Sequence, residues 1–348
     1  MREKNNMTKT NRHLDVLRRF KRGRIAVIGD MMLDVYLWGS VTRISPEAPV
    51  PVIGIRKQSC CLGGAANVMR NIALLGAQVY PFGVAGDDET AAAMFRAFDE
   101  LAIDASGIVR DPARRTTEKR RIIAGGQQLL REDFEDTDPV SEKIRRELVG
   151  RIVSLIRNGA VDAVIFEDYA KGVLASWMLE EIVAAAAKKK VFTALDPKPG
   201  NLSPVKGIGV IKPNRGEAFA MAKLTDAELP EKNPLRDKRL AAVAATLMRE
   251  WAPEQLMISL AAQGLALYRS GEKTARVIPT RAREVFDVSG AGDTVTGTYT
   301  LALSSGAPPE EAAEIANLAA GVVVGKVGTA PITFNELKAA CLNDAEEK

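Results

Sequence analysis

Arg24-Ile25-Ala26-Val27-Ile28-Gly29, RIAVIG, is a short apolar run closed by a glycine, and it reads as a first buried strand. Asp30 follows it directly and Asp34 comes soon after. Moving outward, Gly64–Leu75 places Val68, Ile72 and Leu75 on one helical face, Val79–Val84 reads as the next strand and Glu89–Leu101 as the next helix. Val161–Phe166, Val191–Leu195, Gly209–Ile211 and Gln255–Ser259 are further strand candidates, with helical segments such as Ser141–Arg157 and Ser176–Lys189 between them. Gly290–Ser304 and Glu310–Gly325 close the chain as two Ala/Val-rich helices. This βαβ alternation predicts an α/β fold, a mostly parallel sheet with helices on both faces.

Two stretches break the pattern. Pro49–Lys57 (PVPVIGIRK) and Arg115–Asp133 alternate like strands, with charged residues on one face. They predict a small separate β-sheet, a lid inserted at about residues 35–57 and 113–133 of a main domain over 24–348. Val50, Val52, Ile53 and Ile55 would leave this sheet an apolar surface and free edges, so a homodimer through the lid strands is expected.

Residues 1–23 read as a basic leader. Nine Lys/Arg lie in Met1–Arg24 against Glu3 and Asp15, which is +7 of a chain total of +4. It reads as a solvated stretch ending in a short helix around His13–Phe20, and not as a nucleic-acid surface. No secretory signal or membrane-length apolar run is present, so a cytoplasmic protein without a membrane partner is expected. The single histidine, His13, argues against Ser-His-Asp and Cys-His nucleophile systems. The three cysteines make neither a disulfide framework nor a zinc spacing. Chemistry must rest on carboxylates, Lys/Arg, backbone amides and Mg²⁺.

Asp287–Thr294 (DVSGAGDT) carries the strongest chemical signal. Gly290-Ala291-Gly292 opens a helix where backbone amides and the helix dipole favour an anion, and Asp293 follows in the first turn. Phosphoryl transfer needs both features: an anion cradle and a base for the attacking hydroxyl. The glycine spacing fits neither a dinucleotide fingerprint nor, at Gly321–Lys326 (GVVVGK), a P-loop. In Lys212–Glu217 (KPNRGE), Asn214 and Glu217 suit either a plain capping box or a Mg²⁺ held through water. Gly63, Gly64 and Asn67 open a helix in a way that suits a polyol, and Asp30 and Asp34 at a strand end face the ligand crevice of such a sheet. On the lid, Lys119 and Arg121 share one strand face and Arg120 the other. With Arg131 and Lys171 they suit a sugar's terminal phosphate.

Together, in order, Gly29-Asp30…Asp34, Gly63-Gly64…Asn67, Asn214-x-x-Glu217 and Gly290-Ala291-Gly292-Asp293 resemble the ribokinase-like (PfkB-type) carbohydrate kinase family. Arg43–Val52 (RISPEAPVPV), Gln127–Asp133 (QQLLRED) and Asp168–Gly172 (DYAKG) are similar to its D-glycero-β-D-manno-heptose 7-phosphate 1-kinase branch. The resemblance implies a ribokinase-like fold and ATP-dependent phosphorylation of the anomeric hydroxyl of heptose 7-phosphate, for ADP-heptose and lipopolysaccharide core synthesis. Asp293 would be the base, with Gly290, Ala291 and Gly292 as the anion turn. Lys212, Asn214, Ser259, Gly264, Asn317 and Gly321 would contact ATP. K⁺ would sit at Asp287 and the carbonyl of Ser289. Only one of the two glycines usual in the nucleotide loop remains in Ser259–Gly264, and Glu167 stands before Asp168 where the family has a serine. Alternatives are a kinase for another phosphosugar, such as fructose phosphate, and a catalytically silent sugar-binding protein of the same fold.

Overall fold

The computed structural model describes residues 9–226, 231–272, 274–282 and 285–346. The first eight residues of the expected leader, with Arg2, Glu3 and Lys4, lie outside them. The strands are β1 (Arg24–Gly29), β2 (Met31–Ile44), β3 (Pro51–Gly64), β4 (Gln78–Ala85), β5 (Ile108–Arg110), β6 (Thr117–Ala124), β7 (Gln127–Phe134), β8 (Ala163–Glu167), β9 (Phe192–Asp196), β10 (Val210–Ile211), β11 (Gln255–Ser259), β12 (Leu265–Arg269) and β13 (Arg276–Ile278). The helices are α1 (Lys9–Arg19), α2 (Ala65–Leu74), α3 (Glu89–Glu100), α4 (Glu142–Arg157), α5 (Ser176–Lys189), α6 (Arg215–Met221), α7 (Lys238–Glu250), α8 (Ala291–Ser304), α9 (Pro309–Val323) and α10 (Phe334–Glu346).

The main sheet has the order β13-β12-β11-β10-β9-β8-β1-β4-β5. It is parallel from β5 to β11 and turns antiparallel only at β12 and β13. Strand β1 shows why its run is apolar throughout. Successive side chains point to opposite faces, so Ile25 and Val27 enter the core layer that holds Val68, Ile72 and Leu301. Ala26 and Ile28 enter the layer that holds Leu148, Ile182 and Leu247. The last residue of β1 is glycine because a Cβ at Gly29 would stand 2.0 Å from the Glu167 carbonyl oxygen on β8.

The lid is a second sheet of order β3-β2-β6-β7, with β2 and β6 parallel and the other pairs antiparallel. It is longer than expected: β2 starts at Met31, directly after β1, and β3 returns to Gly64, where α2 begins. The base of β2, Met31–Tyr36, is buried and its far end is exposed. The alternating stretch read at Pro49–Lys57 is the exposed first part of β3, while the buried base of β2 was not read as a strand. Val50 and Ile55 are exposed, on the apolar surface from which pairing through the lid was expected. Among the described residues no helix is long and apolar enough to cross a membrane.

The expectation of a solvated leader is corrected from Lys9 onward. Helix α1 packs against α10, and His13, Val16, Leu17 and Phe20 are buried. The basic residues serve this docking: Lys9 and His13 reach Glu314 at 2.6 and 3.2 Å, and Arg12 pairs with Glu311 on α9. Burial alone would raise the Glu314 carboxyl, but hydrogen bonds from His13 and Lys9 outweigh it and hold it at about 2. Its folded value is below the unfolded one of about 4.3. The stabilisation is therefore complete above that pH and is lost as pH falls towards 2. Glu314→Gln is expected to cost up to about 1 kcal/mol at pH 7, discounted for partial exposure. The gap from wild type should close between about pH 4 and 2 in urea melts. A gap independent of pH would contradict the pairing.

Candidate active site

Five parallel strands end along one edge, and each ends on a polar group. Asp30 follows β1, Glu167 closes β8 with Asp168 after it, Asp196 closes β9, Lys212 follows β10 and Ser259 closes β11. The C-terminal edge of such a sheet is where ligands bind. Helix α8 starts over it, with Gly290 at its N-cap in the left-handed region, φ 77°. A Cβ on Gly290 would lie 2.7 Å from the Asn67 amide nitrogen, so the turn needs glycine there. A Cβ on Gly292, by contrast, would only make ordinary contact, 3.5 Å from the Lys212 ammonium and 4.0 Å from Asp196 Oδ2. At the start of α8 the Ala291 N–H donates to the Val288 carbonyl at 3.2 Å, while those of Gly292 and Asp293 precede the first intrahelical bond, at residues that line the cleft. That cleft has a volume of about 820 Å³ and is lined by Lys212, Asn214, the Ser259–Gly264 loop, Gly290–Asp293, Asn317 and Gly321. The expected nucleotide-contacting residues thus share one cavity.

Asp293 lies on the floor, buried, with both carboxylate oxygens held. Asn67 donates its amide to Oδ2 at 2.7 Å and Tyr169 donates its hydroxyl to Oδ1 at 2.6 Å. Burial pushes the Asp293 carboxyl up to about 6, against those two bonds. A chain of contacts runs from there to the lid. Arg70 donates to Asn67 Oδ1 at 2.6 Å and to the Thr329 carbonyl at 2.7 Å. The Thr329 hydroxyl donates to Asp34 Oδ2 at 3.3 Å, and Asp34 Oδ1 accepts from Arg121. Base and lid are therefore parts of one site.

The sequence profile of the pfkB family carbohydrate kinases matches residues 22–335. The chain belongs to that family. As a pfkB-family protein it is a sugar kinase, and it is similar to the protein named Bifunctional protein HldE of Trichlorobacter lovleyi, with 39% identity over 315 residues, 90% of this chain and 62% of that protein. The protein of the same name from a Caulobacter species is 42% identical over 323 residues, 92% of this chain and 63% of that one. The chain spans about three fifths of the length of these curated relatives. Two solved structures share the fold. Arabidopsis thaliana ribokinase, complexed with ribose and ATP, superposes with a TM-score of 0.68 at 18% identity, covering 92% of this chain and 98% of that one. Escherichia coli phosphofructokinase-2, in complex with potassium, gives 0.72 at 18%, covering 93% and 99%.

Several residues of this pfkB-family kinase do something other than the sequence suggested. Asp30 was expected to meet a sugar, but it is buried and accepts from the backbone N–H groups of Tyr169, Lys171 and Val173 at 2.9–3.1 Å. It shapes the loop that delivers Tyr169 to Asp293. Gly63 leaves room for Asp34, whose Oδ2 would be 2.4 Å from a Cβ there, and Gly64 makes the φ 55° turn into α2. Asn214 and Glu217 form a full capping box on α6, each side chain bonded to the other's backbone N–H at 2.9 Å. Their polar groups are engaged there, while both residues still line the cleft. Gly264 is required by packing, because a Cβ would be 2.0 Å from the Ile278 carbonyl oxygen. Asn317 donates to the Pro279 carbonyl at 2.7 Å. Asp287 accepts from the N–H groups of Ser289 at 2.9 Å and Gly328 at 3.1 Å, which ties the loop before α8 to the chain after α9.

The lid cations come with acids. Lys119 meets Asp133 at 2.8 Å and Glu135 at 3.2 Å, and Lys171 meets Glu135 at 2.6 Å. Arg121 lies over the Tyr36 ring. Arg131 is opposite Arg121 in the register, yet its side chain is half exposed and paired with Asp133. Lys119, Arg121 and Lys171 are thus brought into the site, and Arg131 sits at its outer margin.

The sequence reading gave no role to three participants. Tyr169 binds Asp293. Asp196 forms a buried ion pair with Lys212 at 2.8 Å and accepts from Thr296 at 3.1 Å. Burial opposes the Lys212 ammonium, but Asp196 beside it raises its pKa above that of an ordinary lysine. Glu167 is wholly buried within this group. A carboxylate just past a buried strand was the signal that singled out Asp30, and the same rule applied at Phe192–Asp196 finds Asp196.

Proposed function

We propose that the chain uses ATP to phosphorylate the anomeric hydroxyl of D-glycero-β-D-manno-heptose 7-phosphate, yielding the 1,7-bisphosphate for ADP-heptose and lipopolysaccharide core synthesis. The observation that carries the reading is the contact chain Asp293–Asn67–Arg70–Thr329–Asp34–Arg121, which joins a buried carboxylate at an anion-binding helix start to a cationic lid. The sugar hydroxyl approaches Asp293 and gives up its proton there. Lys212 and the amides at the start of α8 face the transferred phosphoryl group, whose charge they stabilise. Lys119 and Lys171, which share Glu135, present cations to the phosphate already on the sugar. Asp196 at the end of β9 would help hold Mg²⁺, which would neutralise phosphate charge. K⁺ would lie by Asp287 and Ser289. The heptose branch is supported by the Arg43–Val52, Gln127–Asp133 and Asp168–Gly172 segments and by the similarity to the HldE proteins.

ADP release from a panel of sugars tests this, run in K⁺ and in a bulky organic cation. Heptose 7-phosphate is expected to be the best substrate. Lys171→Ala should raise its KM about 10–100-fold, the loss of one charge-assisted contact, and change that of free heptose far less. Equal efficiency on free and phosphorylated heptose would refute the phosphate-reading role. Equal rates in the two cations would remove K⁺ from the scheme.

A further inference from the structure

Glu167 is buried within the site, and the scheme above gives it no role. It ends β8, directly beside Asp196 in the sheet register and opposite Gly29 on the other side. It has 0% exposure, and neither carboxylate oxygen has a hydrogen-bond partner. One oxygen each from Glu167, Asp196 and Asp293 lie within 4.8 Å of one another. The cation paired within this group is Lys212, through Asp196. Three carboxylates and one ammonium leave a formal charge of −2, buried where water cannot screen it.

Two things can neutralise such a carboxylate, a proton or a cation. A protonated Glu167 would carry an O–H donor, and buried hydroxyl donors nearly always find an acceptor. No such hydrogen bond to Glu167 is present. A metal ion needs the opposite, carboxylate lone pairs converging on one point: both Glu167 oxygens are unbonded, while Asp196 and Asp293 each also accept hydrogen bonds from their neighbours. Carboxylates alone suit a hard divalent ion, Mg²⁺ or Mn²⁺, whose ligand oxygens stand about 2.0–2.2 Å from the metal and so up to about 4 Å from each other. The observed spacing needs only a small contraction to meet that.

We propose that Glu167, Asp196 and one oxygen of Asp293 bind a divalent cation directly, before any nucleotide arrives. The remaining coordination positions are filled by water and open to the cleft, where a phosphate oxygen can replace one. This differs from a water-mediated ion at Asn214 and Glu217, whose polar groups are taken up by the capping box and, for Glu217, also by Lys198 at 3.8 Å. Glu167 thereby acquires a role that a serine at the same position lacks: it allows the protein to hold its metal without ATP. The site depends on the Asp293 cleft, not on which sugar is bound, so a failed sugar panel with intact metal binding would refute the heptose reading alone.

The test is Mn²⁺ binding by the full chain, without nucleotide or sugar, followed through loss of the free Mn²⁺ paramagnetic resonance signal. About one Mn²⁺ per chain is expected, displaced by Mg²⁺, together with a rise in melting temperature. Glu167→Gln and Asp196→Asn should each weaken Mn²⁺ at least about tenfold and abolish that rise, whereas Asn214→Ala should leave both unchanged. Wild-type protein that takes up no Mn²⁺ without nucleotide would overturn the proposal, and that measurement needs no variant to fold. Mn²⁺ affinity unchanged in Glu167→Gln would overturn it equally, as would loss of the ion in Asn214→Ala alone.

Discussion

Asp293→Asn is expected to lower kcat by about 10²–10⁴-fold, the contribution of a positioned general base, or roughly 3–5 kcal/mol of barrier. The substitution keeps the size of the side chain and removes its ability to take a proton. Tyr169 and Asn67 both donate to the carboxylate. An amide can accept only one of these bonds, so the side chain is expected to settle with its oxygen towards one donor and to stay in place. Sugar and ATP affinities should therefore change little, because the anion turn, Lys212 and the lid cations remain. Steady-state kinetics with parallel binding measurements separate the two effects. A variant with near-wild-type kcat would end the assignment of Asp293 as the base. A variant that lost affinity in proportion to rate would show instead that Asp293 binds and does not catalyse.

Lys212→Met is expected to cost about 3–5 kcal/mol of folding stability, the usual consequence of removing one partner of a buried ion pair. Lys212 has 4% exposure, and Asp196 would keep its charge beside Glu167 and Asp293 with nothing to oppose it. Methionine fills nearly the same space, so the loss would be electrostatic and not a cavity. The control is the double variant Lys212→Met with Asp196→Asn. Removing the stranded charge should recover a large part of the stability, which a packing defect would not allow. Urea melts of the single and double variants measure this directly. If the single variant were as stable as wild type, the pair would be no more than a surface-like contact. The same substitution removes the cation nearest to Gly292, so ATP affinity should fall with it.

Glu167 and Gly264 show how differently single residues can be read. Glu167 stands out in the sequence because it precedes Asp168, yet nothing local says that it is buried without a partner. That follows only from β8 lying between β1 and β9. Gly264 reads as the surviving glycine of a phosphate-approaching loop. In the fold its left-handed φ of 91° and the nearby Ile278 carbonyl explain it as a packing requirement. Asn214 and Glu217 suit a capping box and a metal-water site equally by spacing. The capping box is realised in the fold, and the direct carboxylate cluster lies elsewhere in the same cleft.

Periodicity and punctuation are local properties, so the chain sequence by itself determined the strands RIAVIG and QLMIS, the helix starting at Gly290-Ala291-Gly292 and the parallel α/β class. Its ordered motifs also pointed to a carbohydrate kinase with Asp293 at the helix start, because an anion turn followed by a carboxylate is written in consecutive residues. Tertiary structure alone decided which distant groups meet. It turned Asp30 from a sugar contact into the anchor of the Asp168–Val173 loop, and it brought Tyr169 and Asn67 onto Asp293 from separate elements. It also set Glu135 between Lys119 and Lys171 and docked a leader helix that composition made look solvated. The physical reason is that burial and pairing depend on sheet order and helix placement. Charge and spacing along the chain do not contain these, so they become definite only when β8, β9 and β10 end side by side beneath α8.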